Sequence, residues 1–117
     1  MSEVSIEEQI SELHAYKAEQ QTLVDARDQA IRLSSHSDFK KLILDGFCLH
    51  EAARYAQESG DPMLTASQRA DALAIAQASG HLKRFLSLVI MLGNTAANNV
   101  IQSDAALSEV ASEQVGA

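Results

Sequence analysis

Asp38-Phe39-Lys40-Lys41-Leu42-Ile43-Leu44-Asp45-Gly46-Phe47-Cys48-Leu49-His50-Glu51-Ala52-Ala53-Arg54-Tyr55-Ala56 is the stretch whose spacing decides the fold class. Phe39, Leu42, Ile43 and Phe47 recur at i, i+3, i+4 and i+8. That is one face of a helix, not the alternation of a half-buried strand. Gly46 lies on the same side, where a glycine costs about 1 kcal/mol relative to alanine. Either the helix kinks there or another backbone approaches closely enough to exclude a side chain. On both readings Gly46→Leu is expected to destabilise the fold.

The borders of this segment are marked. Ser34-Ser35-His36-Ser37 precedes it, and short hydroxyl side chains compete for backbone hydrogen bonds, so they favour caps over helix interiors. Ser35 or Ser37 is the expected N-cap, with Asp38 at the positive end of the helix dipole. Glu58-Ser59-Gly60-Asp61-Pro62 follows: Gly60 can take a left-handed cap, and Pro62, the single proline, blocks continuation.

Upstream, the spacing predicts a helix from about Ser5 to Leu33. Ile6, Ile10, Leu13, Val24 and Ile31 share a face, but Lys17, Gln20 and Arg27 stand where a strong zipper has leucines. Such a seam needs a partner helix to cover it. Ser2 or Ser5 can cap the start, with Glu8 completing a capping box from Ser5.

Downstream, Thr65-Ala66-Ser67-Gln68 fits a capping box, so a third helix begins near Ala66 and can run past Val100. Its expected core stripe is Leu73, Gln77, Leu82, Phe85, Val89, Leu92, Ala96 and Val100. Gly80 and Gly93 interrupt it, and Gly80-His81 can divide it in two. Beyond Gln102 the chain turns to Ala, Ser and Glu, and fraying is expected after about Val110. No strand-length alternation and no internal repeat occurs. The expectation is a single all-α domain over 1–117, a three- or four-helix antiparallel bundle with a long N-terminal and a long C-terminal helix.

Phe85-Leu86-Ser87-Leu88-Val89-Ile90-Met91-Leu92 is apolar nearly all round. A helix of that kind is covered on several sides or presents part of itself to a partner. Aromatics make up only 4% of the chain and Trp is absent, so covering the whole run internally is difficult. Phe85, Leu88, Val89 and Met91 are therefore the candidate interface residues, on a protein partner or a second copy.

Charge and chemistry narrow the function classes. The net charge is −7, and the basic residues form only isolated pairs such as Lys40-Lys41 and Lys83-Arg84. Nucleic acid, which needs clustered cations, is a poor partner. The carboxylates are scattered, unlike those of a DNA mimic. One cysteine, Cys48, permits no internal disulfide and reads as a small buried hydrophobe. The acidic N-terminal residues do not resemble a signal peptide, and the longest apolar run is far short of the ~20 residues that cross a bilayer. An intracellular protein away from membranes is expected.

His50-Glu51 lacks the second histidine of a metalloprotease helix, since position 54 is Arg54. His14, His36, His50 and His81 show no ligand spacing with one another or with Cys48. The glycines form no phosphate loop, and no serine sits in a nucleophile elbow. No catalytic, cofactor or metal residue is assigned, and a non-enzymatic protein is expected.

The run Asp38 to Phe47, followed by His50-Glu51-Ala52-Ala53-Arg54, resembles a motif in small uncharacterised helical proteins of tailed bacteriophages. Those proteins also carry an N-terminal polar helix and a later long helix, comparable to His81-Leu82-Lys83-Arg84-Phe85-Leu86 and its continuation. The resemblance covers roughly Ile6 to Val100. Its distinctive part is the twenty-odd residues around Gly46, where Cys48-Leu49-His50 replaces more acidic residues. It implies a phage-encoded accessory protein of the virion or its assembly, located in the host cytoplasm during infection or on the virion. A phage structural protein or a host protein is the implied partner. The alternative expectation is a small acidic regulator that binds and inhibits a host enzyme.

Overall fold

The computed structural model describes residues 5–116, with side chains to residue 114. The Ser2 cap therefore lies outside the described residues. Every described element is helical. The order is α1 (Ile6–Ser35), a single turn α2 (Ser37–Phe39), a π-helix (Lys40–Glu51), α3 (Ala52–Glu58) and α4 (Ala66–Gly116). The all-helical reading and the two long terminal helices stand.

The long helices start where local chemistry starts them. Ser5 Oγ accepts the Glu8 backbone N–H at 3.1 Å, and Glu7 and Glu8 occupy the first turn, at the positive end of the dipole. At α4 the capping box is reciprocal. The Gln68 N–H donates to Thr65 Oγ1 at 3.1 Å, and the Thr65 N–H donates to Gln68 Oε1 at 3.0 Å. No break occurs at Gly80-His81: α4 passes through both.

Two expected caps are different in fact. The residue between α1 and α2 is His36, extended at φ −71°, ψ 129°, and its Nδ1 accepts the Asp38 N–H at 3.2 Å. An imidazole nitrogen does the work expected of Ser35 or Ser37. After α3, Gly60 does not take a left-handed cap; no glycine has positive φ among the described residues. The chain instead tightens into successive turns, with the Gly60 N–H on the Gln57 carbonyl and the Asp61 N–H on that of Glu58, both at 3.1 Å.

The second segment winds as a π-helix over twelve residues, closing with the Ala52 N–H on the Phe47 carbonyl. Wider winding changes which residues share a face. Phe39, Ile43 and Phe47 are half-buried and Cys48 is buried, a spacing of four to five, while Leu42 turns outward at 72% exposure. No backbone of another element comes within 4 Å of a methyl built on Gly46. A methyl placed on it would meet the Lys41 carbonyl of its own wide turn at 3.1 Å.

Tertiary contacts group the chain into two compact units. The first comprises the residues up to Gln29 and from Val89 onward, so it pairs most of α1 with the later part of α4. The second spans Ala30–Leu88.

In the first unit the two helices run antiparallel. Lys17 meets Asp104, Gln20 meets Asn99 and Arg27 meets Asn94, so one number falls as the other rises. Ile10, Leu13, Lys17, Gln20, Val24 and Arg27 form a half-buried row along α1, in alternating steps of three and four. On α4 the matching set is Val89, Gly93, Ala96, Val100, Ser103, Leu107 and Val110. This is coiled-coil spacing. Its most buried members are small: Ala96 is 0% exposed, and Ser103 and Gly93 are buried.

In the second unit α4 again turns small residues inward. Ala72 and Ser79 are buried, with Ile75, Leu82 and Leu86 half-buried between and after them. Cys48 Sγ approaches the Ser79 carbonyl at 3.8 Å and joins the π-helix to α4. The expected α4 stripe is thus corrected. Leu82, Val89, Ala96 and Val100 lie on the inward side, but Leu73, Gln77, Phe85 and Leu92 are exposed.

Candidate functional site

The polar seam residues of α1 are answered by α4. Lys17 Nζ lies 2.5 Å from Asp104 Oδ1. Asn99 Nδ2 donates to Gln20 Oε1 at 2.9 Å, and Arg27 donates to Asn94 Oδ1 at 3.2 Å. Arg27 also pairs with Asp28 at 3.1 Å. Each polar residue in a hydrophobic seam costs stability, but it fits only one register, because a slip leaves it facing an apolar neighbour. The buried Ser103 hydroxyl donates to the Asn99 carbonyl at 2.8 Å, and in the second unit Ser79 donates to Ala76 at 2.7 Å. Both serines are satisfied by their own helix, so they allow close approach without an orphaned donor.

Gly93 sets how close the first unit's helices come. A methyl there would overlap the Cβ of Arg27, and would lie 2.8 Å from its Cγ and 2.9 Å from the Leu23 carbonyl oxygen. The root of the Arg27 side chain and the Leu23 carbonyl of α1 occupy the space a side chain would take. Gly93, Ala96 and Ser103, with Ala72 and Ser79 in the other unit, are the positions that large-residue counting missed. Small residues repeating at intervals of three, four or seven were the signal that would have found them.

One flank of the first unit's seam is apolar and open. The Gln20–Asn99 hydrogen bond marks that flank. Tyr16 and Leu23 lie one turn to either side of Gln20, and Leu92 lies two turns before Asn99. All three are exposed, at 44%, 38% and 48%. Toward the start of α1 the same flank opens into a recess of about 380 Å³ lined by Gln9, Glu12, Leu13 and Tyr16.

The second unit holds a recess of about 340 Å³ between α3, the following loop and the start of α4, with Tyr55, Glu58, Asp61 and Asp71 on its wall. Its loop is held by Arg69, which donates to the Leu64 carbonyl at 2.8 Å. Glu58 is held by Arg54, which also pairs with Glu51 and stacks over Tyr55 at 4.3 Å. The Glu51 hydrogen bond, then that of Tyr55, raises the Arg54 pKa further above its ordinary value. Among the described residues no three His, Cys, Asp or Glu side chains gather as metal ligands, and no helix is long and apolar enough to cross a membrane.

The residues singled out from the sequence are placed as follows. Phe39, Ile43, Gly46 and Phe47 are half-buried in the second unit, and Leu42 stands outside their face. Of the apolar run in α4, Phe85 is 61% exposed and Leu88 half-buried in the second unit. In the first unit Val89 lies in the seam, and Met91 is 55% exposed. No family model matches this chain, and neither does a curated protein or a solved structure.

Proposed function

We propose that this chain works by binding another protein, as a phage-encoded helical accessory protein of the virion or its assembly. The observation that carries the binding reading is the distribution of large side chains. No large side chain is fully buried among the described residues, while Leu42, Leu49, Phe85, Met91 and Ile101 are each more than half exposed. Burial stabilises by about 25 cal/mol per Å² of apolar surface, so these side chains hold that free energy in reserve for association. On this reading the three- or four-helix antiparallel bundle is completed by helices that a partner supplies. The phage assignment rests on the resemblance around Gly46.

A second reading, a regulator that binds and inhibits a host enzyme, draws support from uneven charge. Residues up to Gln29 and from Val89 hold ten Asp and Glu against two Lys and Arg. The remaining residues hold six against seven, so the first unit carries the net negative charge of the chain. Fields of one sign steer a partner of the other.

Quantitative mass spectrometry of purified phage particles tests the leading reading. A fixed copy number per particle supports a virion component. Absence from mature particles removes that role and leaves a transient assembly factor or the host-directed regulator. A host enzyme recovered in fixed ratio with the chain distinguishes the last two.

A further inference from the structure

We propose that the open flank of the first unit, floored by the Gln20–Asn99 hydrogen bond and lined by Tyr16, Leu23 and Leu92, takes a cationic amphipathic helix from another protein. This deepens the protein-binding reading and rests on it.

The width of the apolar stripe is the first argument. A two-helix seam needs apolar residues only at its alternating three-and-four positions. A helix that also carries apolar residues beside the seam has the wider stripe of a bundle member. On α1, Tyr16 and Leu23 are seven residues apart on that extra row, and Leu92 faces the same flank from α4. The opposite flank is marked by the Lys17–Asp104 ion pair. The recess beside Gln9, Glu12, Leu13 and Tyr16 continues the open flank along α1. Two antiparallel helices with a linear apolar trough between them accommodate a third helix along their length.

The occupant is decided by charge. Glu12 and Glu19 stand one turn before and one turn after Tyr16, and Glu113 lies on the α4 side of the same flank. Among the described residues none of the three carboxylates makes a hydrogen bond or ion pair. The two cationic side chains of this unit are engaged elsewhere, Lys17 on Asp104 and Arg27 on Asn94 and Asp28. The rim therefore offers carboxylates and no cation. A second copy would bring ten acidic residues against the same ten, whereas a helix with Lys or Arg beside its apolar face neutralises the rim while covering Tyr16, Leu23 and Leu92.

The test uses the full chain and two labelled synthetic 21-residue helical peptides. Both have leucine at three-and-four spacing; one carries lysine elsewhere and the other glutamate. Fluorescence anisotropy at low and moderate salt should show saturable binding of the lysine peptide, weakened at least tenfold by the higher salt, and no binding of the glutamate peptide. Leu23→Ser with Leu92→Ser should weaken binding at least tenfold. Glu12→Gln with Glu19→Gln, two surface changes that leave packing alone, should weaken it three- to tenfold and flatten the salt dependence. Leu42→Ser, in the second unit, should leave it unchanged.

Failure of the lysine peptide to bind, or equal sensitivity to Leu42→Ser and to the flank variants, overturns the proposal. So does sedimentation equilibrium that shows a dimer dissociated by Leu23→Ser with Leu92→Ser, because a second copy then fills the trough. The particle measurement is independent. A chain found in fixed copy number that ignores the peptide loses only this inference, and a peptide-binding chain absent from particles loses only the virion role.

Discussion

Gly93 and Gly80 lie in the same helix, and replacing each with alanine should move stability in opposite directions. Alanine is favoured over glycine in a helix interior by about 1 kcal/mol, and both positions gain that term. At Gly80 nothing lies within 4 Å of the added methyl, so the gain is kept. At Gly93 the methyl meets the Arg27 side chain at its root and the Leu23 carbonyl at 2.9 Å. Neither is the free end of a flexible side chain, so α1 must move away by half an ångström or more. That shift loosens Ala96, the most buried residue, and stretches the Arg27–Asn94 hydrogen bond. Overpacking of this kind costs about 1–3 kcal/mol, and more where backbone must shift. The net expectation is a loss of about 1–2 kcal/mol for Gly93→Ala, or a fall in Tm of roughly 4–10 °C for a chain of this size. Gly80→Ala should raise Tm by roughly 2–5 °C. Thermal unfolding followed by circular dichroism reads both. A Gly93→Ala variant that melts at or above the parent would refute the close approach of the two helices. Gly46 should be milder than Gly93, since its nearest neighbour is the carbonyl of its own wide turn, which can readjust as the winding tightens.

Other consequences are read more simply. Thr65→Ala removes one arm of the α4 capping box and should cost about 1 kcal/mol in chemical denaturation, with Thr65→Ser recovering most of it. The Lys17–Asp104 pair is more than one-third exposed at Asp104, so a double-mutant cycle with alanine should give a coupling of about 0.5 kcal/mol that shrinks in 1 M salt. A coupling that salt leaves unchanged would contradict the exposed geometry. The Cys48 thiol, buried against the Ser79 carbonyl, should react with an aromatic disulfide reagent far more slowly in the folded chain than in denaturant. Equal rates would mean the π-helix does not pack on α4 there.

Features that depend on a few adjacent residues were legible in the sequence. Ser5 and the Thr65–Gln68 box start their helices as expected, because capping joins groups three residues apart. The weak seam of α1 was legible too, and the helix needed to cover Lys17, Gln20 and Arg27 proves to be α4. What escaped depends on the partner surface. Leu73, Phe85 and Leu92 outrank Ala72, Gly93 and Ala96 in hydrophobicity, yet the helices approach so closely that only the small residues fit between them. The π winding escaped because Phe39, Leu42, Ile43 and Phe47 have α-helical spacing, and the i→i+5 bonds that turn Leu42 outward leave no separate mark over twelve residues. His36 escaped as a cap because hydroxyls stood on either side of it.

The central claim is that the exposed apolar surface of these helices is held for another protein. Native mass spectrometry of the chain isolated from the cells that produce it tests this most directly. The account predicts an assembly containing a second, non-identical protein in a fixed ratio to this one. A single species at 12.6 kDa, unchanged across protein concentration and salt, would contradict it.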